Sequence, residues 1–495
     1  MKVSARSSQI SSGSDRVSTY KNIPKRPVWA LRSKHGLGGE HALLLALVLF
    51  VGVLSIAPLA RLAYAAFVTK DGFDINRIAD ILGGRRVLEA TANTIWIAIS
   101  ATFISTFLGT AAALLCNLTD MRKRSLWVFG FMLPLMIPPQ VIALAWVQAF
   151  SPASPLLGVL GWSLPPGTRH PLYSMAGIIV LLGLYNGPLV FLSVRASLQR
   201  LPASLIEAAH ATGAGHRSAT LDIILPLIRS SIFAGAALAF VSAIGNFGIQ
   251  AMLGIPGRVP TLITLIYRRL NSYGTSALND MALLALLLAV LTVCGMTLTA
   301  WLGRNGDQCV ETAQRPPRIL LGRGRLRVLG SAPTYRAIVL MLPLSALLGT
   351  ALVRGYGQPV TFETITFQNF ANALFYHEGI RDAFLTSLWV TLTTVAVLIP
   401  VAVALGYVLT WRQGWIAKFL RMASEMAYAL PGIIIGVAMI LFFLRPLPFI
   451  GTGLYGTVWV ILAAYMSNFL ALALRPILGG YAQLDRGLDE AAQLA

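Results

Sequence analysis

Ten long, uncharged runs of apolar residues constrain this chain more than any other feature of its sequence. Each run can cross about 30 Å of hydrocarbon as a helix. None contains Asp, Glu, Lys or Arg, as expected where each central charge costs about 2.5–3.5 kcal/mol. The predicted spans are 42–60, 91–115, 126–150, 171–194, 231–253, 281–303, 337–353, 384–411, 426–444 and 456–474. The predicted fold class is all-α, a polytopic membrane protein.

Composition and charge indicate that the chain is embedded in a lipid bilayer. Only 12% of the residues are charged and 56% are hydrophobic, whereas a soluble domain carries about 25% charged residues. The net charge of +20 comes from Lys and Arg that flank the spans. The segments on the side of the N-terminus hold more than twice as many of them as the opposite segments, which predicts a cytosolic N-terminus. Membrane lipid is therefore the predicted partner of these charges, and nucleic acid is not.

The segments outside the spans are polar or basic. Residues 1–41 are Ser-rich and basic, and we expect a flexible cytosolic tail because they are too long for the first part of a cleaved signal peptide. Residues 304–336 are basic, contain Gly and Pro, and are predicted to be a cytosolic linker. The three cysteines have neither disulfide nor metal-ligand spacing, so no metal site is predicted.

The two sides of the linker resemble each other. Asn93-Thr94-Ile95-Trp96-Ile97 and Pro138-Pro139 are matched 293 residues later by Thr386-Ser387-Leu388-Trp389-Val390 and Pro431-Gly432. We therefore predict two tandem repeats, 42–303 and 337–495, related by a pseudo-twofold axis along the membrane normal. The alternative for the prolines is that each merely kinks a helix.

One predicted cytosolic loop of the first repeat, 203–226, contains a spaced motif. Seven of its residues fit the pattern EAA-x3-G-x9-I-x-LP without a gap: Glu207, Ala208, Ala209, Gly213, Ile223, Leu225 and Pro226. The alanines form a small, flat helix surface, and the glycine allows a turn. Here the chain resembles the membrane subunits of binding-protein-dependent ATP-binding-cassette importers, in which this loop docks on the ATPase.

This resemblance implies an architecture and partners. It implies a fused double permease of the type I kind with twelve spans, of which ten are present. The second motif, Glu490-Ala491-Ala492, stops before its glycine, so we expect the second repeat to be truncated within its coupling loop. Separate ATPase subunits, expected as a homodimer, and a solute-binding protein are the implied partners, in a bacterial inner membrane. The chain has no Gly-Lys dipeptide and hence no phosphate loop, so it is expected to be a transport subunit that binds no cofactor, with ATP used by the ATPase.

The sequence narrows the solute only partly. Residues 246–254 resemble a stretch of the ferric iron and aminoethylphosphonate permeases, with Gln250 where proline is common. We favour ferric iron and keep 2-aminoethylphosphonate, thiamine and polyamine as alternatives. Candidate residues of the translocation path are polar residues within spans: Gln140, Asn186, Asn246, Gln250 and Asn468. The alternative for each is a hydrogen bond between helices.

Two other classes of protein compete with this interpretation. A major-facilitator transporter would need a glycine-containing loop after the second span, and Asp120-Met121-Arg122-Lys123-Arg124 lacks the glycines. A membrane-embedded enzyme would need paired ionisable residues within the spans, and the predicted spans have none.

Overall fold

The computed structural model describes residues 37–69, 72–121, 124–152, 154, 165, 167–272, 277–304, 334–335, 337–355, 358, 360–412, 414–446 and 451–484. The described residues divide into two units between Leu49 and Phe50, and the packing described below lies within the second. Of the predicted linker 304–336, only residues 304, 334 and 335 are described. The second motif, Glu490-Ala491-Ala492, lies entirely outside the described residues.

The described chain is mainly helical and contains one short β-ribbon. The helices are α1 Leu37–Val51, α2 Ala57–Phe67, α3 Ile75–Gly83, α4 Arg85–Leu118, α5 Arg124–Met136, α6 Pro139–Ala149, α7 Met175–Leu198, α8 Ala203–Ala211, α9 His216–Ser218, α10 Leu225–Leu227, α11 Arg229–Gly245, α12 Phe247–Gly257, α13 Leu262–Leu270, α14 Ala277–Gly303, α15 Leu342–Ala351, α16 Gln368–Ala371, α17 Glu378–Trp411, α18 Trp415–Ala429, α19 Gly432–Phe443 and α20 Val458–Tyr481. Single π-helical turns occupy Gly52–Ile56, Ala219–Ile224, Ala337–Met341 and Asn372–Tyr376. Strands β1 Val68–Thr69 and β2 Gly72–Phe73 pair antiparallel.

Among the described residues, six helical segments are long and apolar enough to cross a membrane, and the number rises to ten if each of four bent pairs is one span. The chain is thus the predicted all-α polytopic membrane protein, but several predicted spans differ in detail. The third and ninth are broken by 98° and 111° at proline. The fifth ends at Gly245, because Asn246 takes an extended backbone and starts a new helix. The seventh is a short helix, and the bent pair α12–α13 was not predicted.

The first span differs from its prediction at both ends. Helix α1 begins at Leu37, inside the predicted tail, and the apolar helix continues to Phe67 rather than to residue 60. This continuation includes Arg61, whose guanidinium lies over the ring of Tyr64 at 5.2 Å. Such a cation–π contact helps a helix carry one charge near the membrane surface.

The same succession of elements occurs twice in the chain. Helices α4 and α17 both have 34 residues and begin 293 positions apart, and α7 and α20 both have 24 residues and begin 283 positions apart. Pro138 has φ −53° and ψ 137°, and Pro431 has φ −52° and ψ 138°. The matched prolines therefore break their helices with the same backbone geometry.

Helices α4 and α7 approach each other through small residues. A Cβ atom built on Gly109 would lie 2.6 Å from the carbonyl oxygen of Gly187 and 2.7 Å from Cβ of Val190. Ser105, on the same face of α4, donates a hydrogen bond of 2.9 Å to the carbonyl oxygen of Gly183. Because lipid gives helices little hydrophobic reason to associate, close approach of this kind stabilises the pair by van der Waals packing.

Two residues at the start of α14 hold neighbouring elements together. The amide nitrogen of Asn279 donates to the carbonyl oxygens of Ala65 and Val68 at 2.8 and 3.0 Å. The carboxylate of Asp280 accepts a hydrogen bond of 2.8 Å from Arg77 on α3 and lies 3.8 Å from Arg269 on α13. These contacts connect α2, α3 and α13 to α14.

Replacing Asp280 by asparagine should lower the stability of the protein by about 1–3 kcal/mol, because a largely buried guanidinium loses its anionic partner. Replacing Arg269 by glutamine is the matched control. Its guanidinium is half exposed, so the loss should be at most about 1 kcal/mol. Thermal unfolding of the purified variants at one scan rate measures the loss of stability in each of the two variants. An Arg269→Gln variant that unfolds at a lower temperature than Asp280→Asn would contradict this account.

Candidate functional site

The motif loop of the first repeat forms a short helix with one exposed face. Helix α8, Ala203–Ala211, starts after Pro202, which has φ −65° and ψ 130° and begins the helix without a side-chain cap. Leu205, Glu207 and Ala208 are exposed, whereas Ala209 is buried. The glutamate and the first alanine of the motif are therefore free to meet another protein, and the second alanine packs inward.

Gly213 ends this helix in a left-handed conformation, with φ +86°. Its N–H donates to the carbonyl oxygen of His210, and the N–H of Ala214 donates to that of Ala209, both at 3.0 Å. This pair of bonds is a Schellman motif, in which a glycine after the last helical residues satisfies the final carbonyls. Nothing lies within 4 Å of a Cβ built on Gly213. Glycine is needed there because of the backbone conformation, not because of crowding.

The second limb of the loop leads into the membrane through a bend. The π-helical turn Ala219–Ile224 and α10 form one limb, which meets α11 at 63°. Ile223 and Leu225 are half-buried, and Pro226 is exposed in the first turn of α10. Ile224 and Ile228 are buried more completely than either motif residue. We call Ala203–Leu227, comprising α8, Gly213, α9, the π turn and α10, the docking segment.

A core cluster attaches the docking segment to the membrane helices. Ile224 and Ile228 belong to the same hydrophobic cluster as Leu201, Trp127 and Phe131. This cluster also contains buried residues from the ends of α4 and α7. Because packed interiors deform little, a displacement of the docking segment would move these helix ends with it. The motif pattern identified exposed Glu207 and Ala208, but it did not include the buried Ile224 and Ile228.

Asn246 and Gln250, two of the predicted path residues, stabilise the break between α11 and α12. The Asn246 carboxamide oxygen accepts a hydrogen bond of 3.0 Å from the N–H of Ile249 and caps the start of α12. The Gln250 amide nitrogen donates 2.9 Å to the carbonyl oxygen of Ala243 in the last turn of α11. Both side chains are buried. These hydrogen bonds satisfy backbone groups that the break would leave open. Of the two, only the Gln250 bond joins two helices, since the Asn246 bond caps its own helix.

Three breaks between consecutive helices lie close together: the break between α11 and α12, the break between α5 and α6, and the break between α18 and α19. A Cβ built on Gly248 would lie 2.8 Å from Cδ of Gln140, which follows the break between α5 and α6. A Cβ built on Gly245 would lie 2.8 Å from Cβ of Pro431, at the break between α18 and α19. Helix breaks of both repeats therefore lie against each other.

The remaining predicted path residues lie on the matched helices α7 and α20. Asn186 is buried on α7, and its carboxamide oxygen accepts a hydrogen bond of 2.7 Å from Ser242 on α11. Asn468 is half-buried on α20. The structure thus places Gln140, Asn246 and Gln250 around the helix breaks and uses Asn186 to join two helices.

Asn93 and Thr94 form hydrogen bonds between distant parts of the chain that the sequence alone did not predict. Asn93 donates 2.9 Å to the carbonyl oxygen of Pro260, and the Thr94 hydroxyl accepts a bond of 2.9 Å from the N–H of Leu262. Both bonds hold the sharp turn between α12 and α13 against α4. These residues were recognised only as markers of the repeat, because their partners are more than 160 positions away in the chain.

Comparison with known proteins identifies a domain and several relatives. Residues 90–307 match the family described as binding-protein-dependent transport system inner membrane component. The chain is 25% identical over 449 residues to y4fN of Sinorhizobium fredii, described as a probable ABC transporter permease, and covers 78% of that protein. It is 23% identical over 466 residues to the ferric transport system permease protein FbpB of Actinobacillus pleuropneumoniae. This match covers 91% of the chain and 64% of the relative. The sulfate transport system permease protein CysW of Synechococcus elongatus is 28% identical over 53% of the chain, which covers 88% of CysW.

Proposed function

We propose that this chain, whose residues 90–307 match the inner membrane components of binding-protein-dependent transport systems, is the permease subunit of an ATP-driven importer of the ATP-binding-cassette type. The observation that carries this proposal is the docking segment, which has an exposed helix face, a conformationally required glycine and a buried attachment to the membrane helices. A segment of this construction can receive force from another protein and pass it to the membrane helices.

The proposed partner of the docking segment is the ATPase. Glu207 and Ala208 would lie in its groove, and exposed Leu205 would add apolar area beside them. The Schellman turn at Gly213 fixes the direction in which the chain leaves α8. ATPase movement would therefore displace α8 as a rigid unit, and the cluster around Ile224 and Ile228 would pass this displacement to α4, α5 and α7.

We assign the second docking position to Glu490-Ala491-Ala492. The matched bounds of α7 and α20 support this assignment, because the two motifs follow the ends of these helices at the same spacing. Two docking positions would suit an ATPase homodimer. The proposed orientation has both motifs and the N-terminus on the cytosolic side of a bacterial inner membrane, as the distribution of Lys and Arg predicts.

The meeting point of the helix breaks is the proposed translocation path. Helix breaks at membrane depth are tolerated where they are covered by protein or line a cavity. The breaks at Pro138, Asn246 and Pro431 come from both repeats, and the polar side chain of Gln140 lies among them. A relative movement of the two repeats would open or close a path at this position.

Ferric iron is the proposed solute, delivered by a solute-binding protein on the outer side. The likeness to the ferric permease FbpB and the sequence of residues 246–254 support it. The chain itself binds no cofactor in this proposal, since ATP is bound and hydrolysed by the partner ATPase. 2-Aminoethylphosphonate, thiamine and polyamine are the alternative solutes for the same architecture.

Uptake into inverted and right-side-out membrane vesicles tests the proposal. With its ATPase and binding protein present, the chain should drive accumulation of radioactive iron that requires ATP. This accumulation should persist when an uncoupler removes the ion gradient. Accumulation that follows the ion gradient and ignores ATP would instead support a secondary transporter. ATP-dependent uptake of a phosphonate without iron uptake would overturn only the choice of solute.

A further inference from the structure

Helix α2 carries a single charged residue, Arg61, in an otherwise apolar sequence. About 30 Å of helix separates His41, where this span begins, from Arg61. Arg61 therefore lies where the span leaves the hydrocarbon. It is half-buried, its guanidinium lies 5.2 Å from the ring centre of Tyr64, and its Nε is buried without a hydrogen-bond partner. Because buried polar groups normally have a partner, this Nε indicates an acceptor that the described chain does not supply.

A second arginine, Arg445, lies near Arg61 and comes from the second repeat. Helices α2 and α19 pack together through a cluster that contains Leu62 and Leu441, and Arg445 follows the end of α19. The positive charge of Arg445 is close enough to repel that of Arg61. In the described part of the chain, neither arginine lies within ion-pair distance of a carboxylate. Two like charges held together in this way destabilise the protein unless an anion joins them.

The ends of the neighbouring helices place this pair of arginines at the level of the lipid headgroups. The N–H of Leu454 donates a hydrogen bond of 3.2 Å to the carbonyl oxygen of Phe443, so the chain just before α20 lies beside the end of α19. Trp459, in the first turn of α20, is 54% exposed and packs edge to face with Trp389 on α17. Exposed tryptophans near helix ends are typical of the interface between membrane and water.

We propose that Arg61 and Arg445 form a binding site for a phosphate-type anion, supplied by the headgroup of an anionic phospholipid, that joins the two repeats. A guanidinium presents several N–H donors in one plane and can bind two phosphate oxygens at once. The hydroxyl of Tyr64, an exposed residue beside Arg61, adds a further donor. The site stands apart from the solute and from ATP.

Depth favours a lipid headgroup over a carboxylate of another protein as the anion. Arg61 lies about 9 Å of helix before the end of α2 at Phe67. This position is below the surface that a soluble protein would contact, whereas headgroup phosphates lie beside the helix there. Arginine side chains near the ends of membrane helices reach toward this level.

Thermal unfolding in a non-ionic detergent tests the site with the full chain. Phosphatidylglycerol, added in increasing amounts, should raise the unfolding midpoint of the wild type, and the dependence on concentration gives an apparent affinity. Arg61→Gln and Arg445→Gln should each lower this affinity about tenfold, because each removes one charged hydrogen-bond donor. Arg381→Gln is the matched control, since it removes an exposed arginine from the first turn of α17. It should change the affinity by less than about twofold.

Stability without lipid separates this site from an arginine that only packs on Tyr64. In detergent without phospholipid, Arg61→Gln should unfold at the same temperature as the wild type or higher, since one of two repelling charges is removed. With phosphatidylglycerol the order should reverse. An Arg61→Gln variant that loses the same stability with and without lipid would overturn the proposal and leave only the ring contact.

Soluble anions identify the source of the phosphate. Inorganic phosphate and glycerophosphate, at the concentrations used for the lipid, should protect the wild type less than phosphatidylglycerol does. Equal protection by inorganic phosphate that Arg61→Gln removes would retain the site and assign it to a soluble anion. Equal protection of the wild type and all three variants by phosphatidylglycerol, or no protection of the wild type by any of these anions, would overturn the proposal.

Discussion

Replacing Gly213 by valine should reduce stimulation of the partner ATPase, and transport with it, by about tenfold, while the protein still inserts and unfolds normally. The backbone at Gly213 has φ +86°, a conformation that costs residues with a Cβ atom about 1–2 kcal/mol and β-branched residues the most. The chain would leave this conformation, and both hydrogen bonds of the Schellman motif would be lost. Helix α8 would then no longer hold a fixed direction, and a difference of about 1.4 kcal/mol in a docked state is tenfold in its population.

Gly215, two residues further on, provides the matched control. A Cβ built on Gly215 also meets nothing within 4 Å, but Gly215 is not among the glycines with positive φ. Gly215→Val should therefore retain ATPase stimulation within about twofold, since surface substitutions of this kind usually change stability by less than 0.5 kcal/mol. Stimulation is measured as ATP hydrolysis by the reconstituted complex. Equal losses in the two variants would show that the left-handed turn has no special role.

Replacing Gly109 by alanine should separate α4 from α7 and destabilise the protein by about 1–3 kcal/mol. The new Cβ would lie 2.6 Å from the Gly187 carbonyl oxygen and 2.8 Å from the backbone nitrogen of Phe191. Backbone atoms cannot rotate away as the end of a side chain can, so the helices themselves must move. The measurement is the midpoint of thermal unfolding in detergent, together with the amount of protein that reaches the membrane.

Gly187 on the facing helix is the comparison for this prediction. A Cβ built there would have Phe131 Cζ at 3.7 Å as its nearest neighbour, which is ordinary contact. Gly187→Ala should be neutral or stabilising by up to about 1 kcal/mol, because alanine is the better helix former. If both variants unfolded at the same temperature, the two glycines would not differ in the way that the packing requires.

The membrane fold was largely predictable from the sequence because charge is excluded from the hydrocarbon. The uncharged runs located the straight helices, and the matched sequences around Trp96 and Trp389 located α4 and α17. Broken helices were less accessible, since the same apolar composition continues on both sides of Pro138 and Asn246. An extended backbone at one residue turns the helix without changing the hydropathy around it.

The candidate functional residues were predictable only where a local motif contained them. Glu207 and Gly213 were identified from spacing alone, and the structure shows why the glycine is required. Ile224 and Ile228 look like other apolar residues, and their importance appears only when they pack with α5 and α7. Gln250 was predicted as a path residue because it is polar within a span. Its bond to the Ala243 carbonyl depends on a helix end that no sequence pattern revealed.

The central claim is that the docking segment binds an ATPase. Cross-linking from one engineered cysteine tests this claim most directly. Ala208 is exposed on α8, so Ala208→Cys in a chain without its own three cysteines should react with reagents added from the cytosolic side. It should form a cross-link to the ATPase whose yield changes when ATP is bound. Labelling of Ala208→Cys only from the opposite side, or continued ATP-driven transport without any cross-link to the ATPase, would contradict this account.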